Sequence, residues 1–123
     1  MAHVLRVEHR GVYLYAAVAG DNTPQDVREY LADVQAACVS SGCPRVLIEE
    51  NLAGPSLGTM DIFAIAAGGG RNAATSIAKI AYLDLNPDHE AKGMQFAENV
   101  AVNRGLNVRL FTDRREAEAW LSA

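Results

Sequence analysis

The spacing of apolar residues changes along this chain between a period of two and a period near 3.6, and turn or cap residues mark each change. From His3 to His9 the pattern alternates, with Val4, Arg6 and Glu8 on one side and Leu5 and Val7 between them. Arg10-Gly11 signals a turn, and Val12 to Val18 forms a second β-rich run, so the two predict an antiparallel hairpin. Thr23 then caps a helix with Pro24 at its first position and Asp26 in its positive first turn. Val27, Tyr30, Leu31, Val34 and Cys38 recur at helical spacing, and Ser41-Gly42 ends the helix. Pro44 precedes a third strand, Arg45 to Glu49, whose contiguous Val46, Leu47 and Ile48 predict a central strand covered on both faces.

Asn51 to Gly58 reads as a loop, and a helix follows from about Thr59 to Ala67, breaking in Gly68-Gly69-Gly70. The last third repeats the alternation. An apolar run (Ile77, Ile80, Ala81, Leu83) gives way at Asn86-Pro87-Asp88 to a helix that stops at Asn103-Arg104-Gly105. Val108, Leu110 and Phe111 make a short strand, and Asp113 with Glu116 caps a final helix with Ala117, Trp120 and Leu121 as its buried stripe. The order β-β-α-β-α-β-α-β-α predicts an α/β fold, a mixed and mostly parallel sheet of about five strands with flanking helices. No linker or internal repeat divides residues 1–123, so one domain is expected.

Composition narrows the function classes. Half of the 123 residues are hydrophobic and 21% are charged, the balance of a globular protein. A net charge of -4 disfavours nonspecific nucleic-acid binding, which needs surplus Lys and Arg to release counterions. No signal-peptide pattern opens the chain, and the longest apolar run, Ile62 to Ala67, is far short of the roughly 20 residues of a membrane span. These features predict a cytoplasmic protein. Cys38 and Cys43 lack Cys-x-x-Cys spacing and have no second ligand pair, so neither a metal site nor a redox pair is expected.

Three stretches carry candidate chemistry. Beyond the third strand stand Glu49, Glu50, Asn51, Gly54, Ser56, Thr59 and Asp61, where open α/β sheets hold ligands and a helix N-terminus offers free N–H groups. The acids there oppose a phosphate. The simpler account makes Thr59 a cap, Asp61 a dipole partner and Gly-Pro a turn. Gly68-Gly69-Gly70-Arg71-Asn72 closes a helix rather than opening one, so it fits termination better than phosphate binding. Asp84 to Glu90 begins like a calcium loop, but His89 replaces the turn glycine and Gln95 the bidentate Glu, and Asn86 as a cap explains it better. No catalytic triad stands out, no cofactor is implied, and we read the chain as noncatalytic.

The order of elements, with Arg45-Val46-Leu47-Ile48-Glu49, the Ser56-Leu57-Gly58 loop, Asn103-Arg104-Gly105 and Val108 to Leu121, resembles the SpoIIAA-like branch of the STAS superfamily. The resemblance implies a mixed sheet flanked by helices and a regulator that binds a protein partner, often an anti-sigma factor kinase. It also implies a phosphorylation switch at the helix start after the central strand, for which Ser56 is the nearest position. Where the family carries Asp-Ser-Ser/Thr-Gly, this chain reads Gly54-Pro55-Ser56-Leu57-Gly58. The expected interaction loop therefore includes Asn51, Ser56, Thr59 and Asp61. A second reading follows from the SEC14-like topology of looser relatives and the apolar Met60, Ile62, Phe63 and Ile65. It places a small apolar or amphipathic ligand between that helix and the sheet, while a homodimer interface would use the same residues.

Overall fold

The computed structural model describes residues 3–55, 57–58, 60–61, 64–65, 77–87, 89, 91–103 and 105–123, without the side chains of 91–94. Its strands are β1 (Val4–Arg10), β2 (Tyr13–Asp21), β3 (Arg45–Ala53), β4 (Lys79–Asp84) and β5 (Val108–Leu110). Its delimited helices are α1 (Pro24–Ser41), α2 (Ala91–Asn103) and α3 (Arg114–Ser122). Met60, Asp61, Ala64 and Ile65, in the stretch expected to be a further helix, are helical as well.

The five strands lie in chain order, β1-β2-β3-β4-β5. β1 and β2 pair antiparallel as the expected hairpin, and every later neighbour is parallel. Right-handed crossovers that advance in one direction place all connecting helices on one face of a sheet, and the core divides accordingly. On the crossover face Leu14, Ala16, Val18, Val46, Ile48, Leu52 and Ile80 pack against Val27, Tyr30, Val34 and Cys38 of α1 and Ala101 of α2. On the opposite face Tyr13, Tyr15, Leu47, Ala81 and Leu83 meet Ala117 and Leu121 of α3, with Phe111 and Trp120 beside them.

Local signals act as the sequence predicts at α1. Thr23 Oγ1 accepts from the Asp26 amide at 3.1 Å, Pro24 opens the helix, and Gly42 closes it in the left-handed conformation with a φ of 68°. Both cysteines are free and buried, Cys43 included, although its place after the helix suggested an incidental turn residue. Its thiol faces the carbonyls of Val12 and Arg45.

Two boundaries differ from expectation. β3 does not end at Glu49 but runs on to Ala53, so Glu50 and Asn51 are strand residues rather than loop. Asn86-Pro87 does not open α2, which starts at Ala91. The Asn86 side chain instead donates to the Leu52 carbonyl at 2.7 Å, and the His89 amide closes a turn onto the Asn86 carbonyl.

Candidate functional site

Parallel strands end on the same edge of a sheet, and here β2, β3 and β4 bring Asp21, Ala53 and Asp84 together. Gly54 leaves β3 with a φ of 103°, a conformation that side-chain-bearing residues rarely adopt. Two tethers then hold the departing chain. Asn22 donates from its backbone to the Ala53 carbonyl at 2.8 Å and from its side chain to the Pro55 carbonyl at 2.9 Å.

His89 supplies the second tether. Its Nδ1 lies 2.7 Å from Asp84 Oδ2 and its Nε2 lies 2.9 Å from the Gly54 carbonyl oxygen. Both of those partners can only accept, so each bond asks for a proton on the ring, and together they favour the charged imidazolium. Burial opposes the charge, but the bonds to Asp84 and to Gly54 outweigh it and raise the His89 pKa above its usual 6.5. The side-chain amides of Asn22 and Asn86 close the site at 3.4 and 3.3 Å from Nε2.

Behind this clamp sits Glu50, buried on the crossover face. It accepts hydrogen bonds from the hydroxyls of Tyr30 on α1 and Tyr82 on β4, and those hydroxyls also touch each other. Burial raises the carboxyl pKa, an effect the two hydroxyls partly offset and the charge of Asp84 reinforces. Burial likewise lifts both tyrosines well above 10, so the phenols keep their protons and act as donors.

The opposite face has its own buried carboxylate, Glu49. Tyr15 donates its hydroxyl to one oxygen, and Arg114 at the start of α3 reaches the other at 2.5 Å. Arg10 stacks over the Tyr15 ring at 3.9 Å, and Tyr13 donates to Glu118 at 2.6 Å. Beyond Glu49 this face opens into a shallow depression of about 350 Å³ lined by Val4, Arg6, Tyr15, Ala17, Asn51 and Leu85.

Both His89 nitrogens are engaged, Nδ1 by Asp84 and Nε2 by the Gly54 carbonyl, and the two contacts fix the ring between β4 and the end of β3. Glu50, Asp84 and His89 lie within 4.8 Å of one another, close enough to share a cation, yet the same two bonds already use the His89 nitrogens.

Of the residues singled out from sequence, Asn51 lies exposed on β3, facing the α3 side, and Asp61 is exposed in the 60–61 helical stretch. Ser56 and Thr59 fall outside the described residues, as does the Gly68-Gly69-Gly70-Arg71-Asn72 stretch. Among the expected apolar pocket residues, Ile65 packs on the core, Met60 is 79% exposed, and Ile62 and Phe63 fall outside the described residues. Sequence reasoning missed the Tyr30–Glu50–Tyr82 cluster and the His89 clamp. The available signal was a glutamate standing at an inward position between Ile48 and Leu52 on a strand.

No protein-family model matches this sequence, and no curated protein matches it. Solved structures do. An anti-sigma factor antagonist from Mycobacterium paratuberculosis superposes with a TM-score of 0.64 at 13% identity, covering 98% of this chain and 95% of that one. An uncharacterised protein with a SpoIIAA-like fold from Shewanella loihica superposes with a TM-score of 0.53 at 20% identity, covering 98% and 94%. The chain has the SpoIIAA-like, STAS-type fold that its pattern of elements resembles.

Proposed function

We propose that this protein is a noncatalytic regulatory module that binds a protein partner through the loop following β3, in the manner of an anti-sigma factor antagonist. The observation that carries the reading is the fold shared with such an antagonist over 98% of this chain. The clamp adds to it. Asn22 and His89 fix the Gly54 and Pro55 carbonyls, so the chain leaves β3 toward Ser56 from a set position. A phosphate on Ser56 would add a dianion to this loop and change its fit to an acidic or an Arg-bearing partner.

Affinity capture from native lysate, with wild type, Ser56→Asp and His89→Ala as baits, tests the proposal. Wild type is expected to retain a defined partner of the anti-sigma factor class, Ser56→Asp to lose it, and His89→Ala to hold it more weakly. Failure of all three baits to retain such a partner would overturn the reading. Retention unchanged by Ser56→Asp would remove the switch.

A further inference from the structure

Among the described residues β1 is an outer strand of the sheet, bonded to β2 on one side, and its seven residues pair with β2 without a bulge. The other outer strand, β5, is only three residues long. Proteins usually protect an edge by shortness, proline, a bulge or charge. Of these devices β1 has only charge, and two of its three charges, Arg6 and Glu8, stand symmetrically about Val7, with Arg10 beyond them.

We propose that β1 pairs with β1 of a second copy of this chain, antiparallel about a two-fold axis through Val7, joining the two sheets into one. In that register Arg6 stands opposite Glu8 of the second copy, and Glu8 opposite its Arg6. Leu5 faces His9, Val4 faces Arg10, and Val7 faces itself. Opposite charges directly across antiparallel strands stabilise the pairing, and like charges oppose it.

The alternative registers that keep like faces together are worse. Centred on Arg6 or on Glu8, identical charges meet on the axis. Centred on Leu5 the Arg6–Glu8 pairs are lost, and centred on His9 only Glu8 to Arg10 remain paired within the strand. Only the Val7 register uses the whole strand and sets Arg6 against Glu8 on both sides of the axis, leaving Arg10 over Val4.

The local structure is prepared for this contact. Val4, Arg6, Glu8 and Arg10 all lie on the α3 face, since they pair with Ala19, Ala17, Tyr15 and Tyr13. Glu8 already sits 2.9 Å from Arg10 and 3.6 Å from Arg6 of its own strand, and the second copy's Arg6 would join this same-face row of alternating charge. Val7 is 38% exposed and Val4 72%, and the axis would cover the first with its own copy and the second with the stem of Arg10. An unrelated strand could add to the edge by backbone bonds alone, but nothing in such a partner would require Arg6 and Glu8 to stand symmetrically about Val7. An isologous dimer requires it.

Sedimentation velocity of the full chain over a concentration series tests the proposal, with wild type, Glu8→Arg and the double variant Arg6→Glu/Glu8→Arg. Wild type should show a reversible monomer–dimer equilibrium. Glu8→Arg replaces two attractive pairs by two repulsive ones and should raise Kd by about tenfold or more. The double variant re-creates both attractive pairs with reversed sign and should return Kd to within about threefold of wild type. Circular dichroism checks folding, and should Glu8→Arg fail to fold, Val7→Lys sets like charges on the axis and must weaken the dimer in its place. A wild type that stays monomeric at the highest concentration would overturn the proposal. So would a dimer indifferent to Glu8→Arg, or one that the folded double variant fails to restore.

Discussion

Glu49 and Glu50 are neighbours on β3, each about 4% exposed, and they point to opposite faces of one sheet. Glu49 faces the side on which α3 packs, and there it meets a cation, Arg114, which remains about half exposed. Glu50 faces the side on which α1 packs, and there it is held by two tyrosine hydroxyls. A charge near an open face can keep an ion pair whose far end stays hydrated. A charge under a closed face would require a cation to be stripped of water as well, which seldom repays its cost. Neutral donors that are themselves apolar over most of their surface solve the second problem, and tyrosine is such a donor. How completely each face is covered thus decides what kind of partner its glutamate takes.

Removing the hydroxyls should break the closed side most severely. Tyr30→Phe/Tyr82→Phe keeps both rings and strips Glu50 of the two donors that oppose its burial. A loss of about 3–5 kcal/mol is expected near neutral pH, the range for a buried charge left without its partners. Because burial has raised the Glu50 pKa, the folded state binds a proton more readily than the unfolded chain. Stability from this group is therefore fully present below the ordinary value of 4.5 and is lost as pH rises through the folded value. The variant should recover much of its deficit in acid, where Glu50 is neutral. Urea unfolding at the two pH values checks this, and an equal loss at both would mean that packing rather than charge is at stake.

On the open side Arg114→Ala should cost about 1–2 kcal/mol, less than a fully buried pair because Arg114 is half hydrated and Tyr15 still donates to Glu49. The distinguishing mark is salt. Added sodium chloride should lower wild-type stability slightly and leave Arg114→Ala nearly unaffected, since screening acts on the exposed guanidinium. The double tyrosine variant should show the wild-type salt response. Matched denaturation midpoints at low and high salt read both effects, and a salt-insensitive wild type would mean that the pair contributes nothing net.

Elements governed by local rules were legible in the sequence. The Thr23 cap, Pro24 and Gly42 delimit α1 where the pattern puts them, and Val46-Leu47-Ile48 marks a strand covered on both faces. What escaped depends on contacts made at long range. Glu49-Glu50-Asn51 looks like the polar end of a strand, because the residues that make Glu50 tolerable, Tyr30 and Tyr82, belong to other elements. Asn86-Pro87 satisfies every local rule for a helix start, yet the Asn86 amide is drawn across the sheet edge to the Leu52 carbonyl and the helix waits until Ala91. Capping is worth about 1 kcal/mol, and a competing bond within the tertiary structure can outweigh it.

The smallest effect belongs to His89, which links the closed face to the loop. His89→Gln keeps a donor and removes the charge, and about 1 kcal/mol of stability should be lost, the value of a typical hydrogen bond exchanged for a weaker one. The pH dependence identifies it. The folded pKa of His89 is raised, so its contribution is fully present below the unfolded value of 6.5 and disappears as pH rises through the folded value. Wild type should therefore lose stability in two windows, one beginning near 4.5 with Glu50 and a second beginning near 6.5 with His89. The Gln variant should lack only the second. Nuclear magnetic resonance of the His89 ring provides a direct reading, since a clamp made of two accepting partners requires protons on both nitrogens through neutral pH. A ring that titrates at or below 6.5 would show that Asp84 and the Gly54 carbonyl do not hold it charged.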